Sequence, residues 1–159
     1  MGGAPGTEAP MPYERLTGAA LAYARNVCRC LGAGDGAALE GCAYADAHEY
    51  SRIRINSPDS KRCLEEELLP AFPELLECET RHLEALRDCS KSAALVCGTA
   101  LGACASQSAC STMPDYAAYV ELRERCARVL YCEDGPEAAG WRCNGTPDCL
   151  DESDEVNCE

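Results

Sequence analysis

The stretch P-E-L-L-E-C-E-T-R-H-L-E-A-L-R-D-C, from Pro73 to Cys89, has the composition of one continuous helix that carries two cysteines. Proline is tolerated in the first turn of a helix, and the Leu, Glu, Ala and Arg residues that follow favour helical backbone. Cys78 and Cys89 are 11 residues apart, or three helical turns, so both lie on one helical face. The stretch therefore predicts helices that disulfide bonds join to their neighbours.

The same composition extends from Tyr13 to Tyr131, where β-branched residues are scarce and no strand-like alternation persists. Ser51–Asn56 is the one plausible strand, but it is short and we interpret it as a connector. Start and stop signals predict six helices, the third of which is interrupted by Pro70 and Pro73. Their approximate bounds are Thr17–Cys30, Asp35–Tyr50, Ser57–Leu69, Pro73–Cys89, Ser92–Ser106 and Pro114–Tyr131. We therefore predict an all-α, disulfide-rich fold, a bundle of about five to six short helices.

The cysteine content limits the classes of protein that this chain can belong to. Fourteen of the 159 residues are cysteine, a density typical of disulfide scaffolds or multi-metal proteins. Zinc clusters usually show C-x-x-C pairs or Cys/His blocks, which this sequence lacks, and its two histidines, His48 and His82, are 34 residues apart. The even count predicts seven disulfides in an oxidising, extracellular compartment.

The charge balance indicates which partners to expect. The formal net charge is −13, with 27 acidic against 14 basic residues, which argues against nucleic acid or an anionic membrane as the partner. No apolar run approaches the roughly 20 residues that a membrane span requires. Neither His48 nor His82 has a nucleophile or metal-ligand partner at a useful spacing. We therefore predict no enzyme activity.

After Tyr131 the sequence becomes acidic and rich in turn residues. It ends in W-R-C-N-G-T-P-D-C-L-D-E-S-D-E-V-N-C, from Trp141 to Cys158. Ca²⁺ takes six to eight oxygen ligands, many of them carboxylates, and would relieve the repulsion among so many acids. The stretch therefore predicts a calcium loop held by flanking cysteines, with side-chain oxygens available from Asn144, Asp148, Asp151, Glu152, Asp154 and Glu155.

The same stretch resembles the C-terminal half of an LDL-receptor class A module, whose pattern is W-x-C-D-G-x-x-D-C-x-D-x-S-D-E-x-x-C. The resemblance is close over Trp141–Cys158 and looser over residues 126–158, so we expect a truncated module; the helical region shows no such resemblance. We expect a flexible leader at residues 1–12, a disulfide-stapled helical domain at 13–131, and an irregular calcium-binding half-module at 132–159 packed on that domain.

The resemblance implies a set of calcium ligands. The side chains would be those of Asn144, Asp148, Asp154 and Glu155, and the backbone carbonyls would be those of Trp141 and Thr146. Asp151 and Ser153 match positions that support the loop. Asn144 stands where the family usually has Asp, and it also begins the glycosylation sequon N-G-T. We interpret it as a ligand, because a glycan would hardly fit in a tight metal loop.

The resemblance also implies a disulfide pairing. A complete module has six cysteines, paired first to third, second to fifth and fourth to sixth. This chain lacks the third, so the implied bridges are Cys132–Cys149 and Cys143–Cys158. Cys126, at the first position, would then pair into the helical domain.

The family's binding mode suggests a function. A partner's Lys sits against the tryptophan and the calcium-bound carboxylates, which here would be Trp141, Asn144 and Asp148. We predict a secreted or ectodomain, non-enzymatic, calcium-binding protein-interaction module. One alternative is a self-associating structural subunit of an extracellular assembly, in which calcium only rigidifies the loop. A carrier of a hydrophobic ligand ranks last, because few large apolar residues are present to line a cavity.

Overall fold

The computed structural model of the chain describes residues 11–93, 103–104, 109–133, 136–140, 142–156 and 158. The helices are α1 (Pro12–Cys30), α2 (Ala37–Ser51), α3 (Pro58–Cys63), α4 (Leu69–Ala71), α5 (Pro73–Ala93) and α6 (Tyr116–Cys126), with 3₁₀ turns at Ala109–Thr112 and Ser153–Glu155. The predicted mostly helical, disulfide-rich fold with a small irregular C-terminal segment is confirmed.

Two of the predicted segments lie wholly or mostly outside the described residues. Residues 1–10 of the predicted leader are among them, and α1 already begins at Pro12. Most of the predicted helix at Ser92–Ser106 also lies outside them, including Cys97. Within the part of the chain that the structure describes, no helix combines the length and the apolar character that crossing a membrane requires.

The core forms where α1 packs against both α2 and α5. Ala20 of α1 and Ala43 and Ala47 of α2 are fully buried, and their small side chains let the two helices approach closely. The disulfide Cys28–Cys42 joins the same two helices. Small side chains and a covalent bridge thus hold α1 against α2, while larger side chains such as Leu16, Leu68 and Leu76 fill the rest of the core.

The helix that begins at Pro58 runs further than predicted. Ser57 caps it as expected, with its Oγ accepting a hydrogen bond from the N–H of Ser60 at 3.2 Å. The helical backbone then continues through a π-helical segment, Leu64–Leu68, into α4, so the predicted interruption at Pro70 is wrong. Proline cannot donate a backbone hydrogen bond and crowds the preceding turn, and the wider π turn just before it accommodates both effects.

The segment Ser51–Asn56 is a connector, as predicted, and not a strand. Arg52 and Asn56 have φ values of 52° and 59°, in the left-handed region, which a strand cannot contain. Ser51 ends α2, and its hydroxyl donates to the carbonyl of Ala47 at 2.9 Å. The segment is a tight connector that buries Ile53 and Arg54 between α2 and α3.

The ends of three other helices differ from the prediction. Thr17 lies inside α1 rather than capping it, and its Oγ1 donates to the carbonyl of Tyr13 at 2.7 Å. Gly36, and not Asp35, precedes α2. The last helix ends at Cys126, and the chain continues into strand β1 (Val129–Leu130), which pairs antiparallel with β2 (Ala138–Ala139). This two-residue pair joins the helical domain to the C-terminal segment.

Disulfides join the helices to their neighbours, as predicted. Cys78 and Cys89, on one face of α5, bond to Cys110 and Cys104. Cys30 is disulfide-bonded as well, and the described residues include no free cysteine. The bridges between described residues are Cys28–Cys42, Cys63–Cys126, Cys78–Cys110, Cys89–Cys104, Cys132–Cys149 and Cys143–Cys158.

Candidate functional site

The candidate site is the acidic loop, defined here as residues 142–156. Two disulfides enclose it, Cys132–Cys149 and Cys143–Cys158, which is the pairing that the family resemblance implies. Cys126 bonds to Cys63 of α3, so the first cysteine of the resemblance does pair into the helical domain. The loop is therefore covalently closed while the strand before it remains tied to the helices.

Two carboxylates organise the loop by accepting hydrogen bonds from its own backbone. The buried Asp154 carboxylate accepts the N–H groups of Asp148 at 2.8 Å and Cys149 at 3.1 Å. The Glu155 carboxylate accepts those of Asn144 and Gly145, both at 2.9 Å. The bond from the Asp148 N–H, helped by that from Cys149, lowers the pKa of the Asp154 carboxyl, while burial acts in the opposite direction.

The other two predicted ligand side chains lie beside each other. The Asn144 Oδ1 accepts the N–H of Thr146 at 2.7 Å, and the Asn144 Nδ2 is 3.4 Å from Asp148 Oδ2. Gly140 makes room for Asp148, since a Cβ at position 140 would overlap the Asp148 carboxyl group and lie 2.7 Å from its Cβ. The four predicted side-chain ligands are thus linked to one another within one loop. Trp141 lies outside the described residues.

Two residues of the loop make contacts that support its shape. The Asp151 Oδ1 accepts the N–H of Ser153 at 3.0 Å. The Ser153 hydroxyl oxygen in turn accepts the N–H of Glu133 at 3.1 Å, which joins the loop to the segment that follows β1. Both residues therefore act on the backbone, which is the role that the resemblance implies for them.

The donor set fits a hard cation. Asn144, Asp148, Asp154 and Glu155 offer oxygen only, which suits Ca²⁺ better than zinc. In the described part of the chain, two groups of Cys and Asp side chains have potential ligand atoms within 4.8 Å of one another: Cys28, Cys42 and Asp46, and Cys132, Cys149 and Asp151. Their sulfurs are disulfide-bonded, so neither group offers a thiolate. The predicted oxygen set does not form a third such group, because the Asp154 and Glu155 carboxylates face backbone N–H groups.

The acidic loop is anchored to the helical domain by Arg142. Its Nε and Nη2 donate to the buried Asp59 carboxylate of α3 at 2.6 Å and 3.1 Å. The same guanidinium donates to the carbonyls of Tyr131 at 2.9 Å and Ser153 at 3.3 Å. The hydrogen bonds to Asp59 raise the pKa of Arg142, although burial opposes them. The Arg142 side chain therefore holds three parts of the structure together: α3, Tyr131 directly after β1, and Ser153 directly before Asp154.

Two further contacts hold the C-terminal segment in place. The buried Arg54 donates from Nη2 to the carbonyl of Gly140. Arg125 of α6 donates to Glu137 at 2.5 Å and also pairs with Glu67 of the π-helical segment. The predicted packing of the C-terminal segment on the helical domain thus involves three arginines, at positions 54, 125 and 142.

The sequence did not reveal this anchor. Asp59 looked like an ordinary acid in the first turn of a helix, and Arg142 occupies an unspecified position of the family pattern. The one sequence signal for Arg142 is its position between Trp141 and Cys143. In a loop this constrained, we expect a charged side chain to have a defined partner. Asp59 carried no such signal.

Comparison with known proteins agrees with the loop's geometry. The family model of the low-density lipoprotein receptor domain class A matches residues 138–158, and the helical domain has no family match. No curated protein and no solved structure matches the chain. The predicted resemblance of the C-terminal segment is therefore confirmed, and the match begins at β2.

Removing the Asp59 charge should release the acidic loop. In Asp59→Asn, Arg142 loses its buried carboxylate partner. We therefore expect the free energy of unfolding in urea to fall by roughly 3 kcal/mol. This value is at the lower end of the range for a broken buried ion pair, because Arg142 is partly exposed. Hydrogen exchange should rise across residues 142–156.

The matched control for this variant is Asp88→Asn. Asp88 forms a surface pair with Arg87 and is mostly exposed, so its loss should change the unfolding free energy by less than about 0.5 kcal/mol. Equal effects of the two variants would contradict an anchoring role for Asp59.

Proposed function

We propose that this chain is an extracellular, non-enzymatic protein-interaction module whose acidic loop binds Ca²⁺. The observation that carries the proposal is the set of hydrogen bonds that the loop backbone N–H groups donate to the carboxylates of Asp154 and Glu155. They hold four oxygen-bearing side chains within one loop that two disulfides close. The match at residues 138–158 supports the same assignment. Six disulfides between described residues fit an oxidising compartment, whether the protein is secreted or an ectodomain.

In the proposed holo form, Ca²⁺ would be held by the side chains of Asn144, Asp148, Asp154 and Glu155, with backbone carbonyls at positions 141 and 146. When bound, the ion supplies positive charge that offsets carboxylate repulsion in a chain of net charge −13. The residues themselves already restrict the loop, since hydrogen bonds tie the four side-chain ligand positions to one another. Asn144 contributes an oxygen without a formal charge, which weakens the site relative to one with Asp.

Calcium binding is tested by removing one ligand. Isothermal titration should show one Ca²⁺ per chain, with a dissociation constant of about 10⁻³ M or tighter. Glu155→Gln should weaken binding by at least about tenfold, because it removes a carboxylate charge from the ligand set. The control Glu152→Gln removes an exposed carboxylate from the same loop outside that set, so its affinity should stay within about threefold of the parent. Equal weakening in both variants would indicate general charge attraction and contradict a defined site.

The surface of the acidic loop supports a role in protein binding. Leu150 is 92% exposed and Val156 is 57% exposed, so two large apolar side chains are exposed in the same loop as the exposed Asn144 and several acids. Such a mixed surface suits a partner that offers an apolar contact together with a basic side chain. We propose that a partner's Lys binds against Trp141, Asn144 and Asp148 once calcium is present.

Partner binding can be separated from calcium binding at Trp141. Trp141→Ala removes the ring but keeps the backbone carbonyl, so the calcium affinity should stay within about threefold of the parent. Binding of an acetylated, amidated Leu-Lys-Leu peptide should weaken by at least about tenfold, since aromatic residues contribute strongly at interfaces. Fluorescence anisotropy of the labelled peptide, recorded with calcium and with a chelator, measures how peptide binding depends on calcium and on Trp141.

The replacement of lysine by norleucine in the same peptide is the control for charge. Peptide binding that persists in a chelator, or that Trp141→Ala leaves unchanged, would contradict the Lys-binding face. In that case calcium would serve as a structural staple alone, and self-association would become the property to measure.

A further inference from the structure

A cleft lies between α2, the connector that follows it, the start of α3 and Arg142 of the acidic loop. Its volume is about 550 Å³, within the range of about 300–1,000 Å³ that is typical of small-ligand sites. Its polar lining comprises Tyr44, His48, Arg54, Asn56, Ser57, Asp59 and Arg142. We name it the α2 cleft.

The charge of the α2 cleft is opposite in sign to that of the chain. Arg54 and Arg142 are always protonated at neutral pH, whereas Asp59 is the one acid among the lining residues. Asp59 is already bound by two Arg142 nitrogens and by the N–H of Tyr131 at 3.2 Å. The lining therefore keeps at least one net positive charge in a chain whose total is −13.

The cationic groups in the cleft are held rigidly. Arg54 is only 6% exposed; its carbonyl accepts the Tyr13 hydroxyl at 2.5 Å, and its guanidinium reaches the Gly140 carbonyl. Burial lowers the pKa of Arg54, with Asp59 and Asp148 acting against that shift, so a nearby anion would stabilise its charged form. A preorganised guanidinium loses little entropy when it binds a carboxylate.

The cleft also has an apolar part. Tyr44 is 39% exposed, and its hydroxyl accepts a hydrogen bond from the Asn56 Nδ2 at 3.2 Å, which fixes the ring at the cleft wall. Ala45, Ile55 and Pro58 complete this wall. The apolar wall and the cationic groups line the same cavity, so a ligand in the cleft could contact both.

From these features we propose that the α2 cleft binds a carboxylate that is attached to a flat apolar group, with Arg54 and Arg142 facing the carboxylate and Tyr44 packing on the apolar group. The site shares Arg142 with the acidic loop, but its lining includes none of the proposed calcium ligands and none of the residues of the Lys-binding face. The carboxylate can come from a free organic acid or from the C-terminus of a peptide that ends in an aromatic residue.

The probes are phenylacetate and its neutral analogue 2-phenylethanol, titrated into the whole chain and followed by NMR chemical shifts. We expect phenylacetate to bind at least about tenfold more tightly, because a charge-assisted hydrogen bond is lost in the alcohol. Its affinity should fall as NaCl rises, while that of the alcohol should not. Equal affinities, no saturation by phenylacetate up to about 10 mM, or a salt response shared by both probes would overturn the proposal.

Variants assign the binding to the cleft. Arg54→Gln should weaken phenylacetate binding by at least about tenfold. The control Arg52→Gln removes an exposed arginine that pairs with Glu49 outside the cleft lining, and it should leave the affinity unchanged. Equal losses in the two variants would also overturn the proposal. If Arg54→Gln does not fold, Tyr44→Ala replaces it, with the same expected weakening.

A second pair of probes identifies the source of the carboxylate. Both orders of affinity support the site. If N-acetyl-glycyl-phenylalanine binds more tightly than phenylacetate, the natural ligand is a peptide C-terminus; if phenylacetate binds more tightly, the ligand is a free organic acid. The amidated dipeptide should bind at least about tenfold more weakly than the free dipeptide. Equal binding of the two dipeptides would contradict carboxylate recognition.

Discussion

The ion pair between Asp59 and Arg142 is the contact on which the arrangement of this protein depends. A buried carboxylate must be paired to be tolerated, and Asp59 meets that need with Arg142 and the N–H of Tyr131. Arg142 also donates to the carbonyls of Tyr131 and Ser153. Because Ser153 directly precedes Asp154, the contact that fixes the C-terminal segment also sets the position of its most buried acid. The acidic loop and the α2 cleft share this one anchor.

The disulfides provide the second constraint. The helical domain has a single Phe and many alanines, and small side chains form much of the contact between α1 and α2. Buried alanines let α1 and α2 approach closely, and each disulfide contributes roughly 2–4 kcal/mol by restricting the unfolded chain. Cys63–Cys126 is the bridge of greatest consequence for the site, since it ties α3, which carries Asp59, to α6, which leads into β1. Covalent bonds thus hold together the two sides of the anchor.

The features that could be predicted from the sequence are those set by local spacing. The helical class followed from composition, the shared face of Cys78 and Cys89 from helical periodicity, and the bridges Cys132–Cys149 and Cys143–Cys158 from the family resemblance. The failures have non-local or compensating causes. Pro70 continues a helix because a π turn precedes it. The partner of Asp59 lies 83 residues away, and no local pattern connects the two.

Native mass spectrometry of the oxidised protein, with and without a chelator, most directly tests the central claim that a disulfide scaffold presents a calcium loop. We expect one calcium ion per chain that a chelator removes, and a mass about 14 Da below that of the reduced chain, because seven disulfides remove 14 hydrogens. Free thiols, bound zinc, or a calcium-free spectrum at millimolar calcium would contradict it.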